Sequence, residues 1–114
     1  MSELNELYKQ ADALKHEGKP AEAVEVLNTL LEKDPNHTLS HLALAVLYGK
    51  IDQHDKAIEH GQKACELSPE DPFSFTAMSV TFQRAWAGTQ KQEYIQMAED
   101  AMARAQMLEG GHTH

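Results

Sequence analysis

Residues 35–69, PNHTLSHLALAVLYGKIDQHDKAIEHGQKACELSP, hold two helix-like stretches between two prolines that stand 34 positions apart. His41, Leu44, Ala45 and Tyr48 fall at three- and four-residue spacing, so they share one face of a helix from about Thr38 to Ile51. A second helix is expected from about Asp55 to Leu67. Pro35 and Pro69 bound the pair, because proline can neither donate its backbone hydrogen bond nor continue a helix.

The same arrangement recurs to either side. Shifting the chain by 34 aligns Leu7 with His41 and Phe75, Ala11 with Ala45 and Ser79, and Leu14 with Tyr48 and Phe82. Ala23 meets Ala57, and Pro35 meets Pro69. Upstream, Leu4, Leu7, Ala11 and Leu14 make one apolar stripe over Glu3 to Glu17, and Ala23, Val24, Leu27, Leu30 and Leu31 make the next. Gly18-Lys19-Pro20 separates them, with Pro20 suited to a first helical turn. Downstream, Asp71-Pro72 reads as an N-cap and first-turn proline opening a fifth helix. The short turns force antiparallel neighbours, which stack as hairpins.

The third unit is longer. Its small residue in the second helix is Ala98, 41 positions after Ala57 instead of 34. Gly88-Thr89 is taken as the break, so about one turn is added to each helix: the fifth to about Ala87, the sixth from about Lys91 to Leu108. Gly110-Gly111 is expected to close the fold.

A period of 34 with these small, bulky and proline positions resembles the tetratricopeptide repeat family along the whole chain. The resemblance implies an all-α, right-handed solenoid of three antiparallel hairpins. These form a single domain over residues 1–109, with repeats at about 4–37, 38–71 and 72–109 and a flexible tail at 110–114. His41, Gln10 and Gly61 depart from the family's residue types at their positions. The resemblance also implies a concave groove lined by the first helix of each hairpin. In this sequence Asn5, Tyr8, Asp12 and Lys15 would line it, followed by Leu39, Leu42, Val46 and Lys50, and then Phe73, Thr76, Val80, Gln83 and Arg84. Some family members hold a partner's C-terminal carboxylate there with lysine, arginine and asparagine. The matching places here are Tyr8, Asp12, Ala43, Phe73 and Ala77, so that clamp is missing. An apolar or amphipathic segment of another protein is the expected ligand, with Tyr8, Lys50 and Arg84 as orienting contacts.

Composition bounds the alternatives. A formal charge of −8 disfavours nucleic acid and anionic lipid as partners. No run approaches the roughly 20 apolar residues of a membrane span, and MSELNELYKQ lacks the features of a signal peptide. A cytoplasmic protein is therefore expected. The single cysteine, Cys65, reads as a small buried hydrophobe.

Neither a glycine-rich phosphate loop nor a catalytic triad order can be picked out, so enzymatic activity and a cofactor are not expected. His37 and His41, four apart, could share a metal ion, but they lack further ligands and read as a surface pair. His112 and His114 in the tail could trap metal only weakly. A metal-binding protein is the most distant function considered.

The main alternative is a scaffold that self-associates, as a homodimer, through an uncapped sixth helix. Trp86, Ile95, Met97 and Met107 are its candidate contacts. Trp86 is expected to plug against Tyr94 or Ile95, or else to anchor a partner.

Overall fold

A computed structural model describes residues 2–110, all of its regular structure helical. The helices are α1 (Glu3–His16), α2 (Pro20–Lys33), α3 (Thr38–Lys50), α4 (His54–Leu67), α5 (Pro72–Thr89) and α6 (Glu93–Gly110). Each boundary has a local cause. The Ser2 hydroxyl accepts from Asn5 N–H at 3.1 Å, and Asp71 Oδ1 accepts from Phe73 N–H at 3.0 Å, each satisfying an orphan donor of a first turn. Pro20 and Pro72 occupy first-turn positions. Gly18 and Asp52, 34 residues apart, both adopt positive φ where the chain turns within the first two hairpins.

The third hairpin turns at Gln90, also at positive φ, and not at Gly88-Thr89. Gln90 N–H donates to Trp86 O at 2.7 Å, which carries α5 two residues past the expected end. Gly88 stays helical for a steric reason. A Cβ there would lie 2.4 Å from His54 Nε2, so the missing side chain leaves room for the buried ring at the start of α4. The expected lengthening of both helices holds: α5 and α6 have 18 residues each, against 13 or 14 in the others. Gly110, read from the sequence as the start of a tail, is the last residue of α6. The rest of that tail, with His112 and His114, lies outside the described residues.

Two clusters form the core. Ala11, Ala23, Val24, Leu27, Leu30, Leu44, Leu47, Tyr48 and Ala57 join the first two hairpins. Met78, Phe82, Ala98 and Ala101 form the second cluster, with Ile58, Cys65, Tyr94 and Met97 packed against it. Each hairpin docks on its predecessor mainly through its first helix: α3 on α1–α2, α5 on α3–α4. At the second joint Gly61 leaves space for Met78, whose Sδ would lie 2.6 Å from a Cβ at that position. Small residues at Ala23, Ala57 and Ala98 let paired helices approach closely, which is why the repeat preserves them. Among the described residues no helix is long and apolar enough to cross a membrane.

One polar pair, a buried His41 against a half-buried His60, escaped the sequence reading. His41 Nε2–H donates to Pro35 O at 2.8 Å, which leaves Nδ1 as an acceptor facing His60 Nδ1 at 3.0 Å. His60 therefore donates from Nδ1, with its ring stacked between those of His41 and Tyr48. Burial first, and then His41, hold the His60 pKa below its ordinary value; Lys56 acts in the same direction and Glu59 opposes it. The unfolded chain thus binds more protons than the folded one as pH falls through the ordinary histidine value near 6.5. Stability is expected to be complete above that pH and to decline below it. Urea midpoints at pH 7.5 and 5.5 check this, and a His60→Gln variant should lose part of the slope.

Candidate protein-binding surface

The inner positions of α1, α3 and α5 follow one another at the repeat spacing, so they form rows across the stacked first helices. One row is Asn5, Leu39 and Phe73; a second is Asp12, Val46 and Val80. Leu39 and Phe73 are 54% and 62% exposed, large values for such apolar side chains. Val80 is also exposed, and Val46 is half-buried. Leu42, expected in the groove, is instead buried, drawn into the packing of α3 against its neighbours.

The polar candidates divide similarly. Lys50 is exposed. Arg84 is half-buried and lies across Gly49, its Cδ 3.5 Å from where a Cβ would sit, so its stem serves the α3–α5 joint as well as the surface. Tyr8 packs against the first cluster, 5.8 Å from the His37 ring. Burial, and then Asp12, push its hydroxyl pKa up. Asp12 is exposed and lies 3.5 Å from Lys15 Nζ. Thr76 is half-buried and donates its hydroxyl proton to Pro72 O. The inner face is thus an apolar strip of Leu39, Val46, Phe73 and Val80 with charge at its margins.

A second surface lies at the end of the stack. Ser79, Gln83 and Trp86 of α5 face Ile95, Ala98, Glu99 and Met102 of α6 across a groove of about 650 Å³. Trp86 and Ile95 do come together, as the sequence led one to expect, but both remain exposed. Tyr94 pairs instead with Phe82, ring centroids 5.9 Å apart. Met107 is 67% exposed, whereas Met97 is half-buried against the second cluster and lines a separate groove with Cys65, Phe75 and Arg104. Ser79 Oγ–H donates to Ala98 O at 2.8 Å and locks the two groove walls together. Gln83, expected in the concave row, lies here instead, opposite Met102. Carrying the offsets of 34 on the first helix and 41 on the second through the third hairpin would have placed both here.

The histidines do not form the pair read from the sequence. His37 Nδ1 accepts from Ser40 N–H at 3.3 Å and caps α3, while both nitrogens of His41 are engaged by Pro35 and His60. A shared metal would have to break these bonds, and among the described residues no three His, Cys, Asp or Glu side chains cluster suitably. The Cys65 thiol lies 3.5 Å from Ser74 O, and burial pushes its pKa up to about 11, the opposite of an activated nucleophile.

Residues 4–47 match one tetratricopeptide repeat model and residues 40–71 a second, together more than half of the chain. The protein belongs to the tetratricopeptide repeat family. Such domains are non-enzymatic protein–protein interaction modules. The comparison with curated proteins gives no match. Among solved structures, the second tetratricopeptide domain of Spaghetti (RPAP3), bound to the HSP90 peptide SRMEEVD, is 18% identical with a TM-score of 0.77; 94% of this chain covers 93% of that one. The Sgt2 domain from Aspergillus fumigatus is 17% identical with a TM-score of 0.82, over 96% of this chain and 68% of that one. MamA is 17% identical with a TM-score of 0.80, and this chain spans 60% of its length. At these identities the likeness is one of fold.

Proposed function

We propose that this tetratricopeptide domain is a non-enzymatic adaptor whose concave face holds an apolar or amphipathic segment of a partner protein. The observation that carries the reading is the adjacent exposure of Leu39 and Phe73 at equivalent positions of α3 and α5. Covering each such side chain is worth about 1.5–3 kcal/mol, enough for two anchors to dominate a small interface. The net charge of −8 fits a protein partner better than nucleic acid or an anionic membrane. The raised thiol pKa fits a packing role for Cys65.

Leu39→Asp and Phe73→Asp are the direct tests. Both side chains are exposed, so each change should leave stability within about 0.5 kcal/mol. A partner retained from lysate by the unaltered protein should be lost by both variants; equal retention by both would contradict the reading.

The chemistry also separates this groove from that of the HSP90-bound relative. Tyr8, Asp12, Ala43, Phe73 and Ala77 offer no cation to a terminal carboxylate. Calorimetric titration with SRMEEVD is accordingly expected to show no saturable heat, and micromolar binding would overturn the apolar reading.

A further inference from the structure

The internal repeat shows what the groove between α5 and α6 is shaped to receive. In the first hairpin Ala11, Lys15, Ala23 and Leu27 lie at the edge against which α3 docks, where Ala11, Lys15 and Leu27 meet Ala43 and Leu47. The equivalent residues of the second hairpin are Ala45, Gly49, Ala57 and Gly61. There α5 docks, with Met78 over Gly61, Arg84 over Gly49 and Gly88 beside His54. Carried into the third hairpin, by 34 on the first helix and 41 on the second, the equivalents are Ser79, Gln83, Ala98 and Met102. His54 becomes Ile95 and Ile58 becomes Glu99 by the same offset. All six line the 650 Å³ groove. It is the helix-receiving edge of the last hairpin, continuous in design with two joints already filled by helices.

The occupant can be narrowed. A second copy stacked head to tail would present its α1. The positions that dock in α3 and α5, Leu44 with Leu47 and Met78 with Thr81, hold Gln10 and Ala13 in α1, and the adjacent Lys9 stands where the others have Ala43 and Ala77. At the docking positions Gln10 would bury an unpaired amide where the filled joints have Leu44 and Met78, and Ala13 is too small to cover Trp86 and Met102. Two copies meeting tail to tail would bring together helices carrying Glu93, Glu99, Asp100 and Glu109 against Arg104 alone. Glu99 stands where the earlier hairpins have Val24 and Ile58, and it has no ion-pair partner among the described residues. A carboxylate at a helix-docking position calls for a cation on the incoming helix.

We propose that the α5–α6 groove docks a basic amphipathic helix of a partner protein. Its apolar stripe covers Trp86, Ile95, Ala98 and Met102, and a lysine or arginine meets Glu99. This surface is separate from the concave face of α3 and α5, and the two stand or fall independently.

Trp86 is the only tryptophan in the chain, so its fluorescence reads occupancy of this groove directly. The probe is a synthetic 18-residue helical peptide free of tryptophan, with leucine and alanine at i, i+3, i+4 and i+7 and lysines flanking the stripe. Titrated into the full chain, it should shift Trp86 emission to the blue with saturation. The same peptide with glutamates for lysines should bind about tenfold more weakly, the size of one charge-assisted contact, and Glu99→Gln should erase most of that difference. Met102→Asp should abolish binding, while Phe73→Asp should leave it unchanged. The proposal is overturned by an absence of saturable change, by equal affinity for the two peptides, or by binding that survives Met102→Asp. It is equally overturned if concentration alone shifts the emission as the molar mass doubles, since the groove would then belong to a second copy.

Discussion

Leu44→Ala is expected to lower the free energy of unfolding by about 2–5 kcal/mol, the range for emptying a leucine-sized volume in a packed core. Leu44 is fully buried in the cluster that joins the first two hairpins. Its repeat equivalents explain its weight. Met78 fills the same role at the second joint and is also buried, whereas Gln10 on the outer face of α1 is exposed. The side chain therefore belongs to the joint between hairpins and not to any one hairpin. In a solenoid each hairpin is stabilised chiefly by its neighbours, so a defect at the joint weakens both. A fall in Tm of roughly 10 °C or more should accompany the change, since each kcal/mol moves a domain of this size by about 4 °C. Urea unfolding followed by helical circular dichroism measures it. A loss under 1 kcal/mol would mean that the joint is not packed as described.

The second large effect runs against ordinary helix propensity. Gly88 lies inside α5, where alanine is normally favoured by about 1 kcal/mol. Here a Cβ would meet the His54 ring at 2.4 Å from Nε2 and 3.0 Å from Cδ2. That ring is buried, with the Asp52 carboxylate 3.6 Å from Nε2, so moving it aside would disturb its packing at the start of α4. Gly88→Ala should therefore destabilise by about 1–3 kcal/mol, the usual cost of overpacking. With His54→Ala already in place the obstacle is gone, and the same substitution should stabilise. A double-mutant cycle of urea midpoints reads this reversal of sign. A stabilising Gly88→Ala in the unaltered protein would show that the ring does not sit where the structure places it.

These two sites also mark what was legible in the sequence. Leu44 declared itself: an apolar residue on the face shared by His41, Ala45 and Tyr48, repeated 34 residues on as Met78, beside small residues that repeat with it, states both the fold and the core. The helix starts at Pro20 and at Asp71-Pro72 were read in advance, because a cap and a first-turn proline act through local chemistry. Gly88 misled because a glycine near the end of a helix ordinarily marks its stop, and its actual cause, a histidine 34 residues earlier, is a tertiary contact. The His41–His60 pair was hidden for the same reason, since nothing local links residues on adjacent helices. Leu42 was placed on the surface by counting around a helix, which cannot tell a concave face from the shoulder that packs on the next hairpin. Trp86 with Ile95 was found, but their groove acquired a meaning only once the third hairpin was aligned on the filled joints of the first two.

The central claim is that a partner segment lies along the inner face of α3 and α5. Photo-crosslinking tests it most directly, with a photoreactive amino acid placed at position 73 on that face and, separately, at the exposed position Glu25 on α2. A specific adduct from position 73, absent from position 25 and lost when Leu39 is changed to aspartate, is the result predicted here. Adducts of equal yield from both positions, or from position 25 alone, would contradict it.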